Sequence, residues 1–141
     1  TEKYPKAKFI YTSSISIHGS GSGIITEMSD YEPNSNYAIS KLAGELIIKS
    51  LDNYSIVRLT SIYGIGVSTD TFLPRCINDA LDNKTISLYG KGNRKQNYVN
   101  YKDVAMYLFS CLKSEINGTY LASSVDSYSN LEVAQIIQSL L

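Results

Sequence analysis

The sequence has no tryptophan, one histidine, two cysteines and three prolines in 141 residues, and each scarcity removes a class of protein. Cys76 and Cys111 stand thirty-five positions apart with no His or Cys beside them, so a disulfide framework, a zinc-ligand spacing and a redox pair are all excluded and no metal site is expected. An excess of one charge is missing too. Thirteen Lys plus Arg face thirteen Asp plus Glu, which leaves no global footprint for nucleic acid or an anionic membrane, so any anionic ligand has to be held locally. The longest unbroken apolar run is six residues, Val104 to Phe109, far short of the roughly 20 that a spanning helix needs. The cysteine usage suits a reducing compartment, so a cytoplasmic protein is expected, and the opening at Thr1 with no Met and no signal-peptide pattern allows that something upstream has been left out. What remains is an ordinary globular composition, 43% apolar and 18% charged, about one domain long and able to bury a core without staples.

Apolar patterning then predicts alternating elements. Lys8–Ser14 (KFIYTSS) reads as a buried strand ending in hydroxyls, followed by a long polar loop through HGSGSG and Pro33. From a cap at Asn34 or Ser35 a helix runs to about Leu51, with Ile39, Leu42, Ala43, Leu46 and Ile47 as its apolar stripe. Tyr54–Tyr63 is a second strand, and Thr71–Asp82 a helix whose first turn accommodates Pro74. Thr85–Tyr89 and Asn97–Tyr101 flank a Gly-rich turn as short strands. A helix follows over about Asp103–Lys113, with Val104, Ala105, Leu108 and Leu112 inward. Gly118–Ala122 is a last strand, and a final helix capped by Ser129 or Asn130 turns Val133, Ile136, Ile137 and Leu140 inward. Such alternation implies an α/β fold: a doubly wound, mainly parallel sheet covered by helices on both faces.

Twelve Tyr and ten Lys give just under one Tyr-x-x-x-Lys pair by chance, and three occur. Tyr4 with Lys8 is interrupted by Pro5, and Tyr98 with Lys102 begins in a strand, where i and i+4 do not meet. Only Tyr37 with Lys41 shares one helical face. An ordinary phenol ionises near pH 10, so a tyrosine acting as a base needs a cation beside it, which Lys41 would supply. The competing reading is a core-edge tyrosine beside a solvated Lys41 paired with Glu45. The strand ending Thr12-Ser13-Ser14 just before this helix puts a hydroxyl at the carboxyl edge of the sheet, where ligands bind in such folds.

FIYTSSISIHG followed by YAISKLAGE resembles the extended short-chain dehydrogenase/reductase family, in its NAD-dependent sugar epimerase and dehydratase branch. RLTSIYG (Arg58–Gly64) and LYGKGNRKQNYVNYKDVA are similar to later segments of that family, in order. The resemblance implies a Rossmann-like fold and NAD or NADP as cofactor. It implies catalysis by Ser14, Tyr37 and Lys41, cofactor contacts from Ser13, Tyr37 and Lys41, and substrate contacts from Ser14, Ser61, Arg94 and Gln96. The expected partner is a sugar or nucleotide-sugar, with a homodimer through the helix after Asn34. Residues 1–64 would form the catalytic half and 65–141 the substrate-binding elements.

Departures from the family pattern narrow these expectations. Where its dehydratases follow the serine with an Asp-Glu acid/base pair, this chain has Ile15 and Ser16, which disfavours water elimination. Ser61 replaces the family's substrate-gripping asparagine, and Gln96 its phosphate-gripping arginine, with Arg94 two residues away on the same strand face. No Gly-rich dinucleotide turn occurs; Gly19, Gly21 and Gly23 have the wrong spacing and no helix behind them. In the family that turn precedes the serine strand and the chain continues past the last helix, so the sequence reads as a fragment. The expected activity is epimerisation, with a keto-sugar reductase or a catalytically silent fragment as alternatives. His18 is expected to be a hydrogen-bonded or solvated loop residue, Asp103 a helix-opening charge, and Lys91, Arg94 and Lys95 a small basic turn.

Overall fold

The computed structural model describes residues 7–20, 23–83, 85–115 and 117–140; Tyr4, Pro5 and Gly21 of the motifs above lie outside them. In chain order the elements are β1 (Phe9–Ser14), a 3-10 turn (Ile15–His18), α1 (Asn36–Ile48), β2 (Tyr54–Leu59) and β3 (Ser61–Tyr63). After them come α2 (Phe72–Asn83), β4 (Lys95–Asn100), α3 (Tyr101–Lys113), β5 (Gly118–Ala122), β6 (Ser127–Ser129) and α4 (Asn130–Ser139). They form two compact units, one built by the chain up to Thr60 with Lys102–Ala122, the other by Ser61–Tyr101 with the chain from Ser123.

In the first unit β2 is central in a parallel sheet of order β1-β2-β5. A strand flanked on both sides is covered on both faces, which is why Ser55, Ile56, Val57 and Arg58 are all buried. Alternation assigns the faces. Tyr11, Ser13 and Arg58 turn toward α1, where a Cβ on Gly44 would strike the Tyr11 ring. Ile10, Val57 and Leu59 turn the other way and pack with Leu108 and Cys111 of α3. Helices therefore cover both faces of a parallel sheet, the fold class the alternation implies.

The second unit holds β4 between β3, its parallel partner, and β6, its antiparallel one. Its core joins Cys76 and Ala80 of α2 to Val133 and Ile137 of α4. A capping box starts α4: Ser129 Oγ accepts from the Glu132 N–H, and the Glu132 carboxylate accepts from the Ser129 N–H.

Several expectations are corrected. Tyr54–Tyr63 is two strands: Tyr54–Leu59 pairs with β1 and β5, whereas Ser61–Tyr63 pairs with β4. Thr85–Tyr89 is irregular, β6 escaped notice at three residues, and α3 starts at Tyr101. The apolar stripe read for α1 is not its packed face: Ile39, Leu46 and Ile47 are 53%, 59% and 68% exposed, while Ala38, Glu45 and Ile48 are buried. That face carries small residues and a paired carboxylate, which hydropathy does not mark. Likewise α3 buries Val104 and Cys111 and leaves Leu112 exposed, and α4 buries Val133, Ala134 and Ile137 and leaves Leu140 exposed.

Candidate active site

Ser35 starts α1 by accepting the Ala38 N–H on its side-chain oxygen at 3.2 Å, which sets Tyr37 in the first turn and Lys41 one turn later. Lys41 does not pair with Glu45, as the competing reading had it. Its Nζ donates to the Thr12 carbonyl of β1 at 2.9 Å and lies 5.7 Å from the centre of the Tyr37 ring and 5.4 Å from that of Tyr11. Tyr37 is 57% exposed. Thr12 stands two residues before Ser14, so the ammonium is anchored in the carboxyl half of β1.

Ser14 caps the 3-10 turn. Its Oγ accepts from the Ser16 N–H at 3.2 Å and from the Ser16 hydroxyl at 3.0 Å. A hydroxyl has two acceptor sites and one proton. With both acceptor sites occupied, what Ser14 has left to offer is its O–H.

Beneath this edge lies a group that sequence reading did not single out. Arg58 and Glu45 are 1% and 0% exposed and form a two-pronged pair, with Nε to Oε1 at 3.0 Å and NH2 to Oε2 at 2.8 Å. The remaining guanidinium protons go to the Glu27 carbonyl at 2.9 Å, the Tyr31 hydroxyl at 2.9 Å and His18 Nε2 at 3.2 Å. Arg58 thus ties β2 to α1, to the 3-10 turn and to the segment leading into α1. Because His18 Nε2 accepts from Arg58, its proton sits on Nδ1 and is donated to the Asp30 carbonyl at 2.8 Å. His18 is therefore buried and bonded at both nitrogens. Burial alone would raise the Glu45 carboxyl, but the hydrogen bonds and charge of Arg58 outweigh it and hold the group below its usual range. The signal was available in the sequence: a lone charge inside the strand YSIVRL must find a partner if the strand is buried. Ser13, at 2% exposure, faces the same side of the sheet as Arg58, its register partner.

The other expected residues meet in the second unit. A cleft of about 500 Å³ is lined by Ser61, Arg94 and Gln96 together with Arg75, Tyr89 and Asn130. Within it Gln96 is engaged at both ends: Oε1 accepts from the Ser61 hydroxyl at 3.3 Å and Nε2 donates to Asn130 Oδ1 at 2.9 Å, leaving one N–H over. Burial pushes the Tyr98 phenol at the wall of the cleft up to about 12.

Residues 1–121 match the model of the NAD dependent epimerase/dehydratase family. The chain belongs to this family. Among curated relatives of this epimerase/dehydratase chain, a dTDP-D-glucose 4,6-dehydratase of Dictyostelium discoideum is 29% identical over 96% of the chain and 36% of its own length. A protein of Bacillus subtilis named as an uncharacterized UDP-glucose epimerase is 23% identical over 94% of the chain and 44% of its own length. The chain thus spans less than half the length of these relatives. Among solved structures, the dTDP-glucose 4,6-dehydratase of Bacillus anthracis in complex with NAD superposes with a TM-score of 0.90 at 24% identity, covering 99% of the chain and 47% of that protein. The UDP-N-acetylglucosamine 4-epimerase of Methanobrevibacter ruminantium gives 0.88 at 22% identity, covering 94% and 46%. At such identities the structural likeness establishes the fold.

Proposed function

We propose that this chain carries the reacting groups of an NAD(P)-dependent nucleotide-sugar epimerase, with Tyr37 as acid/base, Ser14 as hydrogen-bond donor to the reacting oxygen and Lys41 as the cation beside Tyr37. The observation that carries the reading is the Lys41 bond to Thr12, which holds an ammonium 5.7 Å from the centre of the exposed Tyr37 ring. The residues present suit the nicotinamide-ribose end of such a cofactor. Lys41 uses one of its three protons on the Thr12 carbonyl and keeps the others for ribose hydroxyls, next to a phenol that is open to solvent. When bound, the dinucleotide supplies the acceptor and then the donor of a hydride.

In this reading Tyr37 takes the proton of a sugar hydroxyl as that carbon is oxidised, and returns it when the carbon is reduced. The Lys41 ammonium sets a positive charge beside the phenol through which that proton passes. Ser14, whose acceptor sites are filled by Ser16, donates a hydrogen bond to the sugar oxygen and steadies the negative charge that develops there. The same pair of bonds favours epimerisation over dehydration, although several relatives are named dehydratases. Ser16 directs its hydroxyl at Ser14 and Ile15 has none, so neither residue offers a carboxyl to carry a proton from carbon to a leaving hydroxyl.

Tyr37→Phe in the intact protein tests this. Interconversion of a UDP- or dTDP-hexose, followed by NMR of the sugar protons, should fall about 10²–10⁴-fold while NAD affinity stays near that of the parent. Turnover in the variant close to the parent's would overturn the assignment.

A further inference from the structure

The second-unit cleft has a charge pattern that the family pattern does not predict for this chain. Its lining holds two cations, Arg75 and Arg94, and no carboxylate among the described residues. Neither guanidinium has a hydrogen-bond or ion-pair partner among those residues. Arg75 is held only by stacking over the Tyr89 ring, 5.4 Å from its centre, and Tyr89 is itself 85% exposed. Gln96, at the position where the resemblance implies an arginine, is the contrasting case, since Ser61 and Asn130 occupy both ends of its amide. A neutral amide with a single N–H left over cannot give a phosphate the charged two-pronged contact of a guanidinium.

We propose that Arg75, one turn into α2, acts with Arg94 as the anion-binding pair of this cleft, taking the diphosphate of a nucleoside diphosphate ester in place of the role Gln96 cannot fill. The ligand class rests on the epimerase reading above. The choice of residues rests on the cleft itself: two guanidiniums unpaired among the described residues around a neutral Ser61-Gln96-Asn130 wall, with an aromatic ring under one of them. Arg75 lies over the Tyr89 ring with its N–H groups uncommitted among the described residues, which leaves them for two-pronged contact with phosphate oxygens.

The test is calorimetric binding of uridine diphosphate, uridine and NAD to the intact protein and to Arg75→Gln, Arg75→Lys and Arg94→Gln, with thermal unfolding to show that each variant is folded. Both glutamine variants should weaken uridine diphosphate by about tenfold or more and flatten its salt dependence. Arg75→Lys should retain an intermediate affinity, and uridine and NAD affinities should not move. Parent-like binding of uridine diphosphate by folded Arg75→Gln overturns the assignment, as does a loss confined to NAD, which would make the pair a cofactor contact. Binding through Arg75 in a parent protein that converts no nucleotide-sugar would keep this inference and sink the epimerase reading. A parent that converts UDP-hexose with Arg75→Gln unimpaired in binding would do the reverse.

Discussion

Glu45→Gln removes one charge and almost no volume from the interior of the first unit. In the parent both carboxylate oxygens accept from Arg58, at 3.0 and 2.8 Å, with both side chains essentially out of contact with solvent. A glutamine can keep the bond from Arg58 Nε to its Oε1, but its amide nitrogen then faces the NH2 group of the guanidinium, donor against donor. The substitution leaves a buried cation without its counter-charge, which costs about 3–5 kcal/mol; the surviving bond places the loss near the lower end. For a chain of this size about 3 kcal/mol lowers Tm by roughly 10 °C. Circular dichroism melts together with urea midpoints measure it. A loss under about 1 kcal/mol would refute the reasoning, since it would mean that water reaches the pair or that the other partners of Arg58 suffice. A second arm sharpens the test. Replacing a buried pair by apolar residues is often neutral, yet Glu45→Leu with Arg58→Met should not recover here. His18 Nε2, the Tyr31 hydroxyl and the Glu27 carbonyl would all lose the donor that Arg58 gives them.

The same carboxylate makes stability depend on acid. Its folded-state value lies below the ordinary one, so its contribution is complete above about pH 4.5 and is lost as pH falls through the folded value. Urea midpoints should therefore be insensitive to this group between pH 7 and about 5 and drop below that; an equal drop in Glu45→Gln would assign the effect to other carboxylates. Cys76 and Cys111, buried at 1% and 6% exposure with thiols raised by that burial, should react with an aromatic disulfide reagent only as fast as the protein opens. A rapid burst of either thiol in native buffer would contradict their placement.

Much of the first unit could be read ahead of its coordinates, because its signals are local. The β-branched run at Tyr54–Leu59, the Ser35 cap and the four-residue step from Tyr37 to Lys41 each fix geometry within a turn or a strand. The packed face of α1 could not be read in this way. Its contacts are made by Gly44, which admits Tyr11, and by Glu45, which meets Arg58, and both depend on residues a strand away. In the cleft, the sequence named Ser61, Arg94 and Gln96 as substrate residues. That Ser61 and Gln96 hold one another, and that Arg75 joins Arg94 instead, follows from strand pairing of β3 with β4 and from the approach of α2.

The order of hydroxyl, phenol and ammonium along the chain, and the strand-then-helix framework under them, were set by the sequence alone, since backbone periodicity and capping act over a few residues. Tertiary structure decided which atoms those groups bond. Lys41 takes a backbone carbonyl rather than Glu45, Ser14 has both acceptor sites filled, and Arg58 is enclosed by partners from across the first unit. Hydrogen bonds between segments far apart in the chain depend on how the sheet and helices pack, and no local pattern encodes that packing.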